Sequence, residues 1–338
     1  MPMNYTFSLT YHCNSHCKTC NIYERKTTDM TLDEWRKVFK NLGRSPFWIT
    51  ISGGEPFLRK DIADICIEAS RMCRPAIINI PTNGIMSERI VAAVKRIVEG
   101  CPKTQIVINL SIDGIGEQHN QIRGVPRNYE KAIRTFNQLR KLDAPNLSLG
   151  IHTVISRFNV GNFAAIANKL LSLKPDSYIT EIAEEREELL TVGKNISPQM
   201  IEYRSAVDWL VHRIKNERFK GQARITQAFR VEYYNLVKRI LRDQTQVIPC
   251  YAGITSAQIA PDGEVWACCI KAKSFGNLRS FMYRFKPIWW SHAMKAERRL
   301  IRNKECYCPL ANAGYTNMLM DMPTLMRVFW RSYIRWWR

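Results

Sequence analysis

Short runs of β-branched and aromatic residues recur through the first half of the chain, and between them apolar residues fall three and four positions apart. The first pattern is that of strands and the second that of amphipathic helices. Strands are predicted over 5–11, 48–52, 76–82, 105–112, 147–154 and 177–183. Helices are predicted over 61–73, 87–98, 128–142 and 160–173. A further helix is expected from a capping box, Thr31 with Glu34, ahead of the apolar positions Trp35, Val38, Phe39 and Leu42. Strict alternation of strand and helix reads as successive βα units in a parallel sheet, where functional groups collect at strand ends.

After Glu188 the rhythm changes to two long helical stretches, 198–215 and 226–243, and then to a hairpin whose turn is Pro261, Asp262 and Gly263. The tail is distinct again. If 325–338 is helical, steps of about 100° per residue place Arg327, Arg331, Arg335 and Arg338 on one side, and Phe329, Trp330, Tyr333, Trp336 and Trp337 on another. Arginines on one face and rings on the other is the profile of a helix lying in a membrane interface. Docking of that helix on the protein's own body or on a second subunit is the alternative, and contact with RNA is the third reading. Four segments are therefore expected: 1–190, 191–246, 247–312 and 313–338.

Composition narrows the class. A chain of 338 residues, 46% hydrophobic, can bury an ample core. No stretch reaches the length of an apolar membrane span, and the first ten residues lack the basic start and apolar run of an export signal, so a cytoplasmic enzyme is expected. Fifty Lys and Arg against 30 Asp and Glu leave a net charge of +20, which implies an anionic partner: a phospholipid surface, a phosphorylated substrate or RNA. Eleven cysteines in an unexported chain are metal ligands where they are grouped. Cys66, Cys73 and Cys101 stand apart and read as small buried hydrophobes.

The first group is Cys13, Cys17 and Cys20, in YHCNSHCKTCNIY just after the first strand. Three thiolates are one short of the four that close a structural zinc or iron–sulfur site, so a cubane held this way leaves one iron open to a ligand. Gly53, Gly54, Glu55 and Pro56, in ISGGEP, end the next strand. The two motifs together resemble the radical S-adenosylmethionine (SAM) superfamily over roughly residues 5 to 190. That resemblance implies a partial (β/α)6 barrel of the TIM type, a 4Fe-4S cluster on Cys13, Cys17 and Cys20, and SAM chelated to the open iron. It also implies an electron donor such as flavodoxin or ferredoxin, cleavage of SAM to a 5′-deoxyadenosyl radical, and abstraction of hydrogen from an unactivated carbon.

The same resemblance makes Gly53, Gly54, Glu55 and Pro56 the loop that receives the ammonium group of SAM, glycine permitting close backbone approach. Asn83 in PTNG, Ser111 and Asp113 in LSIDG, Arg123 in HNQIRG and Thr153 at the fifth strand end fall at positions expected to meet SAM or substrate. Asp113 is also a candidate catalytic group, and Arg123 could fork onto a carboxylate. Glu181, in TEIAEEREEL at the sixth strand end, is the first choice for a substrate contact. Each of these has a plainer reading as a turn former, ion pair or solvated helix start.

A second group, Cys250, Cys268, Cys269, Cys306 and Cys308, resembles the auxiliary-cluster modules called SPASM and twitch. The spacing of Cys250 to Gly263 to Cys268 fits the opening of such a module, and Cys306 and Cys308 close it. Five cysteines imply one auxiliary 4Fe-4S cluster on Cys250, Cys268, Cys306 and Cys308, with Cys269 the alternative to Cys268 and zinc the alternative to iron. The expected whole is an α/β barrel, a small α+β auxiliary module and an amphipathic terminal helix. With Cys13 so near the first residue, no leader-holding domain is expected ahead of the barrel. The expected substrate is a lipid or lipid-linked glycan or polyol at the membrane face. A ribosomal-peptide maturase or small-molecule dehydrogenase or epimerase is the alternative, and a zinc-stabilised RNA-binding protein is the alternative of another class.

Overall fold

A computed structural model describes residues 1–219 and 221–333. Six parallel strands form the body of a partial barrel: β1 (Asn4–Thr10), β2 (Trp48–Gly53), β3 (Ile77–Thr82), β4 (Gln105–Ser111), β5 (Leu147–Ile155) and β6 (Ser177–Ile182). Each lies next to its neighbour in sequence, and every adjacent pair is parallel. The strands fall within a residue of the predicted ends. Helices α1 (Leu32–Leu42), α2 (Ile62–Cys73), α3 (Ser87–Gly100), α4 (Glu117–Arg123), α5 (Asn128–Leu139) and α6 (Phe163–Leu171) return the chain from strand to strand. The capping box of Thr31 and Glu34 is formed at the start of α1.

Alternation along the strands sorts the two faces. Tyr5, Phe7 and Leu9 of β1 pack outward with Trp35, Val38 and Phe39 of α1 in the main core. Ile78 and Ile80, Ile106 and Ile108, and Ile151 and Ile155 take the same outward side of β3, β4 and β5 and are buried. Ser8, Asn79, Asn109, Ser111, His152 and Glu181 take the other side. A polar lumen follows directly from this pattern, confirmed by Asn109 Nδ2 donating to Asn79 Oδ1 at 2.6 Å across β4 and β3. Cys66, Cys73 and Cys101 are buried in the core, as expected of isolated cysteines.

Two long helices follow the barrel, α7 (Met200–Asn216) and α8 (Gln222–Asp243). The predicted hairpin is present as β7 (Ser256–Ile259) and β8 (Glu264–Trp266), with a short third strand, β9 (Ser274–Asn277), that the sequence did not suggest. This hairpin is not set apart from the barrel. Strand β7 pairs in parallel with β1, from Asn4 opposite Ser256 to Phe7 opposite Ile259, so one sheet of nine strands carries both cysteine groups. Arg279, just past β9, reinforces the seam by bonding Glu34 of the α1 capping box at 2.7 Å. Helices α9 (Phe285–Trp289), α10 (His292–Arg302), α11 (Ala311–Leu319) and α12 (Met322–Tyr333) complete the described chain.

The terminal helix has the two expected faces, with the arginine face turned toward the protein's own body. Arg327 and Arg331 do not face solvent together: they clamp the two oxygens of Glu232, a buried carboxylate on α8, Arg327 at 2.9 Å. A buried carboxylate without a cation would be costly, so Glu232 draws the arginine face inward. The apolar face is left outward. Arg335, Trp336, Trp337 and Arg338, named with that helix, lie outside the described residues. No described helix is long and apolar enough to cross a membrane.

Candidate active site

Cys13, Cys17 and Cys20 occupy the loop that leaves β1. Cys20 N–H donates to Cys17 O at 3.1 Å, and His16 and Lys18 N–H donate to the carbonyls of Arg123 and Ile122, so the end of α4 holds this loop in place. Burial pushes the Cys13 thiol up to about 11 and that of Cys20 to about 12, and raises Cys17 as well. Desolvated thiols resist losing their protons until a cation shares the site, which is the condition of a metal-cluster ligand set. Arg123 adds a fixed positive charge: its Nη1 lies 3.8 Å from Cys17 Sγ. The donor set fits an iron–sulfur cluster.

Gly53 and Gly54 lie backbone to backbone against that loop. Gly54 N–H donates to Thr10 O at 2.7 Å and Glu55 N–H to His12 O at 2.9 Å. A Cβ on Gly54 would stand 2.1 Å from His12 O, and one on Gly53 would stand 2.1 Å from Thr10 O, with Gly53 already at φ +116. No other residue fits either position. Pro56 opens the short 3-10 turn that follows and is buried.

Several side chains expected to meet SAM or substrate are instead engaged with the protein. Glu55 is buried and accepts from Thr82 Oγ1 at 2.9 Å, Asn83 N–H at 2.8 Å and Phe57 N–H at 3.2 Å. It braces the end of β3 against the end of β2, and burial raises its carboxyl to about 7. Asn83 donates to Asn14 Oδ1 at 2.7 Å and Ser15 Oγ at 3.1 Å, tying the β3 end to the cysteine loop. Asp113 forms a buried ion pair with Arg123 at 2.8 Å and accepts from Val154 N–H, so it is a positioning carboxylate rather than a free proton carrier. Burial works against the Arg123 charge, but Asp113 and Cys17 outweigh it and hold the guanidinium charged. Arg123 Nε keeps no partner.

Thr153 requires the clearest correction. It lies with Ile151 and Ile155 on the helix-facing side of β5, fully buried, donating to Ile112 O at 2.6 Å and accepting from Tyr178 OH at 3.1 Å. Its hydroxyl cannot reach a ribose in the lumen. Ser111, two residues beyond Asn109 on β4, does line the lumen and is half-buried.

Glu181 is in the lumen, where its Oε1 lies 3.3 Å from Nε2 of His152 on the neighbouring strand and its Oε2 lies 3.9 Å from Arg186. His152 was not singled out in the sequence, although strand alternation places it on the same face as Ser111 and Glu181. Beyond the β6 end, Glu184 is buried with Oε1 unpartnered, and Arg186 Nε is likewise unpartnered. Burial raises the Glu184 carboxyl to about 8. Glu185, by contrast, accepts from Gly193 and Asn195 N–H and shapes a loop. A further buried carboxylate, Glu188, bonds Ser8 of β1 and Gln258 of β7, locking the seam between barrel and hairpin.

Cys250, Cys268, Cys306 and Cys308 line a single cavity, together with Lys271. Cys269 is not part of that lining; it is buried against Leu310 and Ala313, which border the cavity themselves. Four of the five cysteines of this group therefore share one cavity, Cys268 rather than Cys269 among them. Lys271 Nζ is held 2.9 Å from Glu297, a buried carboxylate of α10 that also takes Lys273 at 3.2 Å. The pair of lysines on one buried carboxylate leaves a net positive charge beside the cavity.

A family model described as the radical SAM superfamily matches residues 7–170, and one described as an iron–sulfur cluster-binding domain, SPASM, matches residues 250–309. Among curated proteins, the mycofactocin maturase MftC of Mycobacterium ulcerans is 24% identical over 79% of this chain and 68% of its own length. The Fe-coproporphyrin III synthase of Methanosarcina barkeri is 25% identical over 64% of this chain, and the PqqA peptide cyclase of Bradyrhizobium diazoefficiens is 24% identical over 52%. The chain spans about half the length of these last two, 52% and 45%. Among solved structures, Streptococcus suis SuiB bound to precursor peptide SuiA superposes with a TM-score of 0.65 at 15% identity, covering 88% of this chain and 67% of that one. Native anSMEcpe with bound AdoMet superposes at 0.66 and 14% identity, covering 99% and 98%. These superpositions concern the fold.

Proposed function

Because this chain belongs to the radical SAM superfamily and carries a SPASM iron–sulfur domain, we propose that it is an enzyme that modifies a peptide at an unactivated carbon. Cys13, Cys17 and Cys20 would hold the first cluster, and Cys250, Cys268, Cys306 and Cys308 an auxiliary one. When bound, these groups supply one-electron cleavage of SAM and hydrogen abstraction. The protein's own part is to hold, orient and shield. Gly53 and Gly54 bring backbone close to the cysteine loop, Glu55 and Asn83 brace that loop, and Arg123 with Asp113 fixes a positive charge at Cys17. The lumen carries Ser111, His152 and Glu181 toward the substrate.

The observation that carries the peptide reading is the pair left without partners at the β6 end. Glu184 Oε1 and Arg186 Nε have no hydrogen-bond partner, and both are removed from solvent. Buried polar atoms without partners are rare and costly, and a carboxyl group near a guanidinium offers groups that an amide N–H and C=O can use. The mycofactocin maturase and PqqA peptide cyclase among the relatives point the same way. The lipid or lipid-linked glycan or polyol substrate draws its support from α12 and the net charge of +20, and an electron donor such as flavodoxin or ferredoxin would act on either reading.

Cluster-loaded enzyme is reduced anaerobically with SAM and fractions of a fully deuterated cell extract, and deuterium in 5′-deoxyadenosine is read by mass spectrometry. Label from the peptide fraction, lost in Glu184→Met and Arg186→Met while substrate-free SAM cleavage persists, is the expected result. Label from the lipid fraction alone overturns the peptide reading.

A further inference from the structure

Helix α12 presents an outward stripe that nothing in the described chain covers. Met322, Met326, Phe329, Trp330 and Tyr333 recur three and four apart, so they share one face, and each is more than half exposed, Met326 at 68% and Phe329 at 59%. Leu319 and Met320, at the end of α11, extend the patch. The helix is not loose. Glu232 clamps Arg327 and Arg331 from α8, and Ser332 and Val328 are buried beneath. A rigidly held helix that shows solvent its methionines and rings is an exposed apolar surface that marks an interaction.

We propose that this stripe seats the enzyme on an anionic membrane surface, with α12 lying in the plane of the interface. Three observations select this occupant. The rings are Phe, Trp and Tyr, which settle at the boundary of headgroup and acyl chain. Arg224, near the start of α8, stacks 5.9 Å over the Tyr333 ring with its Nε and Nη2 withdrawn from solvent, so one cation lies at the C-terminal end of the stripe. Finally, the chain carries +20, which repels a second copy and attracts acidic lipid headgroups. The arginines of α12 itself serve to fix its rotation, not to touch the lipid. The surface is independent of what the barrel modifies.

Full-length, cluster-loaded enzyme is floated with vesicles of phosphatidylcholine and of phosphatidylcholine mixed with phosphatidylglycerol. Wild type is expected to float with the acidic vesicles and to do so less at high salt. Phe329→Ser with Trp330→Ser, both solvent-facing, should weaken flotation by more than about tenfold without changing thermal midpoint or SAM cleavage. Absence of wild-type flotation, or equal flotation of wild type and variant, overturns the proposal. So does a dimer by light scattering that the double variant dissociates, which would assign the stripe to a second copy.

Discussion

Substituting Gly54 by Ala tests whether the contact between the β2 end and the cysteine loop is as tight as the geometry requires. The added Cβ would lie 2.1 Å from His12 O and 2.8 Å from Tyr11 O, whereas ordinary contact begins near 3.4 Å. The two backbones must part by more than an ångström, by roughly the amount that breaks both the 2.7 Å bond of Gly54 N–H to Thr10 O and the 2.9 Å bond of Glu55 N–H to His12 O. Two lost bonds at about 1 kcal/mol each and about 1–3 kcal/mol of overpacking strain sum to about 3–5 kcal/mol. For a domain of this size, at about 2.1 cal/mol/K of unfolding entropy per residue, that is a fall of about 4–7 °C in thermal midpoint. Because the strain falls immediately before Cys13, iron content and SAM affinity should fall with it. Calorimetry, iron assay and equilibrium dialysis read the three quantities. A variant with wild-type midpoint, iron and SAM binding would show that the loops are not held as described.

Three further outcomes are expected. Asp113→Asn leaves the Arg123 guanidinium nearly buried without its 2.8 Å partner and should cost about 3–5 kcal/mol, as should Arg123→Met, while the double variant should lose less than the sum, measured in a double-mutant cycle. His119 is buried and its imidazole is depressed from 6.5 to about 4 by burial and by Arg123. Its stabilising contribution is present above pH 6.5 and lost as pH falls toward 4, by up to about 3 kcal/mol, and His119→Gln should flatten that acid limb in denaturant titrations against pH. Lys271→Met removes a positive charge from the cavity of Cys250, Cys268, Cys306 and Cys308. It should make reduction of an auxiliary cluster about tenfold less favourable, about 59 mV for one electron, in a potentiometric titration followed by electron paramagnetic resonance; an unchanged potential would show that Lys271 does not act on the site.

The βα rhythm was legible because β-branched runs such as those of β3, β4 and β5 are separated by stretches with apolar residues three and four apart. The cysteine motifs were legible because loop ligands keep fixed spacing. The roles of the carboxylates were not, since each is decided by a partner remote in sequence: Glu55 by Asn83, Glu188 by Gln258, Glu232 by Arg327 and Arg331. Charge and position said nothing of those pairings. Thr153 is a different case. Its place between Ile151 and Ile155 at a period of two already put it on the helix side, and strict use of that alternation would have removed it and brought in His152.

The pairing of β7 with β1 bears on how the two cysteine groups can evolve and fail. A module joined by a linker can be lost or traded without harm to its neighbour; one that supplies a strand to the neighbour's sheet cannot. Cutting the chain before β7 would strip β1 of one of its two partners and bare an unpaired edge, a template for aggregation. Truncated protein should therefore collect in inclusion bodies rather than survive as a half-enzyme. The separation of the two cysteine groups is likewise set by a hydrogen-bonded ladder, not by the wandering of a tether.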